Sequence, residues 1–183
     1  MKQISYYIVE RLHINKDIGK HIEYNYHPTS RNELKQLVNK LINERGYNAD
    51  LNDIDTSEIT DMNFMFYKSK FNGDISVWDV SNVKDMSHMF SYSEFTTKNG
   101  DLSTWDVSKV EDMSYMFCYS EFNGDISNWD VSNVEDMDFM FSESKFTGEN
   151  GDISKWDVSN VKNMKYMFYD TPLYKNPPKW YKK

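Results

Sequence analysis

The sequence predicts an α/β chain wound into a short solenoid of stacked repeats, and three observations predict it. The five tryptophans fall at 78, 105, 129, 156 and 180, with gaps of 27, 24, 27 and 24 residues. Around the first four, the residues repeat as Phe, then Gly-Asp-[Ile/Leu]-Ser-x-Trp-Asp-Val-Ser-x-Val-x-x-Met-x-x-Met-Phe. A fixed period of this length marks a chain whose units bury their apolar faces only against their neighbours. Within a unit, a period of two at Trp78-Asp79-Val80 gives way to apolar residues at Val83, Met86, Met89 and Phe90. The first spacing fits a short strand, and the second fits one face of a short helix or 3₁₀ turn.

Residues 1–46 do not repeat, and they are expected to cap the first coil as helix, strand, helix. Residues 3–13 fit a first helix, and Ile22, Tyr24 and Tyr26 alternate like a strand closed by His27-Pro28. Ser30-Arg31-Asn32-Glu33 has the form of a capping box. Leu34, Leu37, Val38, Leu41 and Ile42 then mark a helical face that Gly46 is placed to end. A dedicated recognition role for this segment is the alternative to capping.

Five units follow, over 47–70, 71–94, 95–121, 122–145 and 146–172. In the degenerate first unit Tyr47 takes the Phe position, Leu51 the Ile position and Ile54 the Trp position. The units at 95 and 146 gain three residues beside Gly-Asp, in FTTKNGD and FTGENGD, predicting two loops on one edge of the stack. A truncated unit over 173–183 places Trp180 in register but is interrupted by Pro177 and Pro178. Stacked tryptophans and their Phe partners are expected to form continuous aromatic ladders.

The run Ile-Ser-x-Trp-Asp-Val-Ser-Asn-Val-x-x-Met-x-x-Met-Phe resembles the repeat of the BspA-like leucine-rich repeat surface proteins of bacteria. The resemblance spans about 47–181. It implies a right-handed, leucine-rich-repeat-like solenoid with a short parallel sheet. It also implies surface display, adhesion or protein recognition. Short copies without an export signal look like products of gut bacteria and their phages.

Charge is unevenly spread. Residues 1–46 carry 8 basic and 5 acidic groups, 47–172 carry 9 and 24, and 173–183 carry 4 basic and no acidic ones. Repeats this acidic argue against binding nucleic acid, which needs Lys and Arg against phosphate. The single cysteine, Cys118, excludes an internal disulfide framework. No stretch approaches the ~20 apolar residues of a membrane span, and the N-terminus lacks a signal-like apolar run. The expected location is the cytoplasm of the producing cell, with the cell surface as the alternative that the resemblance implies.

Two sets of residues are candidates for partner binding. Asp55, Asp79, Asp106, Asp130 and Asp157 share one repeat position. On a parallel sheet their neighbours would lie ~4.8 Å apart, so their repulsion needs an offset. That offset is either hydrogen bonding to the following turn or shared binding of a cation or basic partner. Further Asp rows, at 74, 101, 125, 152 and at 85, 112, 136, read as turn punctuation and helix-turn caps. The second set, His88, Tyr115, Phe139 and Tyr166, forms an aromatic stripe beside the Met positions. It reads either as a contact surface or as packing along the stack.

No enzyme is expected. His13, His21, His27 and His88 have no metal-ligand spacing with one another or with Cys118. There is no phosphate loop, nucleophile elbow, HExxH or calcium-binding loop, so neither metal nor cofactor is expected. The leading expectation is a non-enzymatic module that binds an unidentified protein. The alternatives are an acidic mimic of DNA that inhibits a nucleic-acid-binding protein, and a structural surface or virion component.

Overall fold

The computed structural model describes residues 13–14, 21–22 and 24–182. Most of the helix expected over 3–13 therefore lies outside the described residues. His13 itself sits in a two-residue strand, β1 (His13–Ile14), paired antiparallel with β2 (His21–Ile22). The strand expected through Ile22, Tyr24 and Tyr26 is not continuous, and Tyr26 makes a single parallel bridge to Ile54. The one α-helix among the described residues, α1 (Arg31–Arg45), starts where Ser30 Oγ accepts the Glu33 N–H. It ends where the Gly46 N–H reaches the Ile42 carbonyl with Gly46 at φ 91°, a conformation that glycine adopts without strain. Leu34, Val38, Leu41 and Ile42 are its buried face.

The repeats do not form the predicted leucine-rich-repeat solenoid. No parallel sheet exists among the described residues, Trp78–Val80 is not a strand, and Val83–Phe90 is not a helix. Successive units meet at isolated parallel bridges, Asp61 to Asp85, Asp112, Asp136 and Asn163. The reason lies in the backbone. His88 (φ 55°) and Tyr92 (φ 57°) are left-handed, as are their counterparts in every unit, which breaks any extended or helical run. The N–H groups of Met89, Ser91 and Ser93 close tight turns on the carbonyls three residues back, at 3.1–3.2 Å. Those of Met86, His88, Phe90 and Tyr92 point instead to the next unit, donating to Asp112, Ser114, Met116 and Cys118 at 2.8–2.9 Å.

Four columns of peptide groups thus run in one direction, each N–H facing the following coil and each carbonyl the preceding one. They are offset in part by opposed bonds such as Lys84 N–H to the Thr60 carbonyl. At the carbonyl end, α1 supplies donors. Arg31 Nε donates to the Asn63 carbonyl at 2.9 Å, and Lys35 Nζ, one helical turn on, reaches the carbonyls of Phe64 and Met65. Two cations therefore serve the Asn63 and Met65 carbonyls, which face no preceding coil, at the negative pole of the aligned dipoles. Burial holds the Lys35 ammonium below its ordinary value, with Arg31 adding to the effect.

The core is a spine of phenylalanines. Phe66, Phe90, Phe117, Phe141 and Phe168 stack face to face at 5.3, 5.6, 5.7 and 5.8 Å, with planes within 7°. Phe71, Phe95, Phe122 and Phe146 pack beside them. The tryptophan ladder is corrected by this. Trp78, Trp105, Trp129 and Trp156 are buried, but the only indole pair in ring contact among the described residues is Trp156 with Trp180. The rings of Trp78, Trp129 and Trp156 tilt about 30° against the phenylalanines. Trp78, Trp129, Trp156 and Trp180 each send the indole N–H to a carbonyl one coil back, at 2.9–3.2 Å. Satisfying that donor fixes each ring's direction, tilted against a phenylalanine, and among the described residues only Trp156 and Trp180 stack on each other. The two inserts are tied to the coil before, Thr96 bonding Asn72 and Thr147 bonding Asn123.

Candidate functional site

The left-handed residues come in two stripes, and both carry rings outward. Phe64, His88, Tyr115, Phe139 and Tyr166 lie one coil apart, with centroids at 4.4, 4.5, 4.8 and 5.1 Å. Four positions further along each unit come Lys68, Tyr92, Tyr119, Glu143 and Asp170, with Tyr92 and Tyr119 stacked at 4.6 Å. Between the stripes runs a column of Tyr67, Ser91, Cys118, Ser142 and Tyr169. Its three middle members are small and buried, while the tyrosines at either end are bulky. The outcome is an open groove of about 560 Å³ along the stack, floored by Ser91, Cys118 and Ser142. Tyr67 meets His88 and Tyr92 edge-on, and Tyr169 meets Tyr166 edge-on.

The groove's electrostatics are those of an aromatic, negatively polarised trough. The Tyr119 hydroxyl donates to the Glu143 carboxylate, and this bond pushes the phenol up to about 12. Burial, then Glu143, pushes the Cys118 thiol up to about 11, which leaves it protonated and poorly nucleophilic at neutral pH. Tyr115 is raised by burial and then by Asp138. Burial also holds the His88 imidazole below its ordinary value, against the opposite pull of Asp112 and Asp85, so the ring is neutral at pH 7. Two groups along the trough, His88 Nδ1 and Ser91 Oγ, are buried without a hydrogen-bond partner among the described residues. No three metal-ligating side chains converge among those residues.

The nine residues singled out in the sequence divide cleanly. His88, Tyr115, Phe139 and Tyr166 line the groove. Asp55, Asp79, Asp106, Asp130 and Asp157 do not. Each accepts the N–H of the serine two residues on, at 3.0–3.1 Å, in an Asx turn. The other two Asp rows do the same for the residue two places on, as at Asp74 and Asp85, so the latter cap turns rather than a helix. Asp55 also meets His27 Nδ1 at 3.2 Å. Sequence reasoning missed Tyr92, Tyr119, Glu143 and the flanking tyrosines. The available signal was the column that reads Tyr, Ser, Cys, Ser, Tyr in successive units, small in the middle and large at both ends.

The family described as Mycoplasma protein of unknown function, DUF285, matches residues 32–145 and again 91–182. The chain belongs to this family. The DUF285 match begins within α1 and runs through all five coils to the last turns, so the whole groove lies inside it. No curated protein and no solved structure matches the chain. No helix among the described residues is long and apolar enough to cross a membrane.

Proposed function

We propose that this chain is a non-enzymatic binding module whose contact surface for a protein partner is the groove between the two aromatic stripes. One observation carries the reading. Tyr92, Tyr119, Tyr166 and Tyr169 stand 47%, 43%, 57% and 45% exposed around one continuous trough. Tyrosines held rigid by stacking offer large contact area at low entropic cost, which is the composition of interface hot spots. The likeness of the Trp-Asp-Val-Ser-Asn-Val repeat to BspA-like surface proteins supports recognition as the role. The neutral His88 and the protonated Cys118 support it too, since neither is poised for acid–base or nucleophilic work.

Capture from a lysate by the immobilised chain tests this, using Tyr92→Asn/Tyr119→Asn as the comparison. Asn tolerates positive φ, so the variant keeps the fold while removing both rings. Retained partners should be lost from the variant while its circular dichroism spectrum stays that of the parent. Equal capture by both proteins would refute the groove. The rival reading, mimicry of DNA, is favoured by the exposed carboxylates of Asp106, Asp130 and Asp157. It requires capture of DNA-binding proteins that survives the tyrosine substitutions and is lost at moderate salt.

A further inference from the structure

The two ends of the groove are built alike and charged oppositely. At the end nearest α1, the Lys68 ammonium sits 5.1 Å from the Tyr67 ring centroid and 5.5 Å from that of Tyr92. Tyr169-Asp170 occupies the Tyr67-Lys68 positions at the other end, so the same tyrosine is flanked there by a carboxylate. Glu143 occupies the Lys68 position one coil earlier, its N–H on the Tyr169 carbonyl at 2.7 Å, which places the two backbones about 4.8 Å apart along the stack, while its carboxylate accepts from the Tyr119 hydroxyl. Among the described residues no cation lies over Tyr166 or Tyr169, and neither Glu143 nor Asp170 has an ion-pair partner. The chain thus displays on itself the mode by which this trough holds an ammonium. It repeats the ring at the far end and supplies negative charge in place of the cation. Aromatic faces attract cations through their quadrupole, and adjoining carboxylates add to that attraction.

We infer that the groove receives an extended basic segment of a partner protein, with a Lys or Arg head group lying over Tyr166 and Tyr169 between Glu143 and Asp170. The inference rests on the groove being a protein-binding surface. The buried Ser91 hydroxyl, which has no partner, lies on the floor where such a segment's backbone would pass. The small residues Ser91, Cys118 and Ser142 leave room for that backbone over about 10 Å, the span of three extended residues. Hydrogen bonding to Glu143 raises Tyr119 and burial raises Tyr115 and Cys118, with the charges of Asp138 and Glu143 adding to the latter two. A second copy of this chain fits less well, because its basic tail, from Leu173 onward, packs Trp180 and Tyr181 onto Phe168.

Calorimetric titration of the full chain with three blocked nonapeptides, alternating Gly with Arg, Gln or Glu, tests the inference at about 150 mM salt. The Arg peptide should bind saturably and the Glu peptide not at all. Glu143→Gln/Asp170→Asn should weaken the Arg peptide by about tenfold or more. Asp130→Asn/Asp157→Asn removes the same two charges while keeping its Asx turns, and should change binding by less than about twofold. Equal weakening by both pairs would mean general attraction to an acidic protein and would overturn the inference. Equal binding of the Gln peptide, blocked by Tyr92→Asn/Tyr119→Asn, would overturn the cation and leave the groove standing. Failure of the Arg peptide to bind also overturns it, and lysate capture then decides the groove separately.

Discussion

Individual residues in this chain are constrained less by what they are than by where their donors point. Trp129 and Trp105 occupy the same repeat position and are equally buried, yet only Trp129 has an acceptor, the Leu102 carbonyl at 2.9 Å. The Trp105 indole N–H is buried without a partner among the described residues. Removing the satisfied Trp129 donor forfeits its bond to the Leu102 carbonyl, which keeps the Trp105 backbone N–H, whereas removing the unsatisfied Trp105 donor relieves a cost. Chemical denaturation should therefore show Trp129→Phe losing about 1–2 kcal/mol more stability than Trp105→Phe. The same logic governs the Asx carboxylates. The serine N–H and hydroxyl that follow hold Asp125, Asp130, Asp152 and Asp157 below their ordinary value of 3.8. A depressed folded value means that the stabilisation is fully present above the unfolded value and is lost as pH falls through the folded one. Acid unfolding monitored by circular dichroism should begin only below about pH 4. Replacing these four by Asn, which keeps the acceptor and removes the titration, should flatten that dependence.

At the scale of the element, one unit shows both what sequence reveals and where it stops. The repeat register, the buried positions Val83, Met86, Met89 and Phe90, and the helix after Ser30 could all be read from spacing and capping residues. The backbone between those positions could not. Apolar residues three and four apart describe a helical face equally well as a run of tight turns, and the residues that decide between them carry no warning. Positive φ usually signals Gly or Asn, but here His88, Tyr92, Tyr115 and Tyr119 adopt it. The strain, about 1–2 kcal/mol per residue, is offset by an intercoil hydrogen bond and a stacked ring at each position. The groove is half legible in the sequence: the stripe through His88 is aromatic or His in every unit, whereas the position of Tyr92 reads Lys68, Tyr92, Tyr119, Glu143 and Asp170. A β-branched side chain separates the two backbones. Tyr119→Val should cost about 1–2 kcal/mol more than Tyr119→Asn in thermal melts, an ordering that a strand at this position would reverse.

For the whole molecule, the fold is a row of coils with unlike ends. The carbonyl end is closed by Arg31 and Lys35 from α1, and the opposite end is covered by Trp180 and Tyr181 packed on Phe168. Stability then depends on neighbour contacts passed along the Phe spine, so a defect in the middle costs more than one at an edge. Phe117→Ala, which breaks stacking with both Phe90 and Phe141, should lose about 3–5 kcal/mol. Lys35→Ala leaves the Met65 carbonyl without its donor and should lose about 1–3 kcal/mol. Both the groove and the failure of the sheet prediction follow from one arrangement, in which every second peptide N–H of the turn run bonds to the next coil. Scalar coupling across hydrogen bonds, measured by NMR on labelled protein, reads that arrangement directly. Correlations should link the amides of Tyr115, Phe117 and Tyr119 to the carbonyls of Asp138, Met140 and Ser142. Correlation of the Phe117 amide with the Met113 carbonyl, four residues back, would mean a helix in its place and would contradict the account.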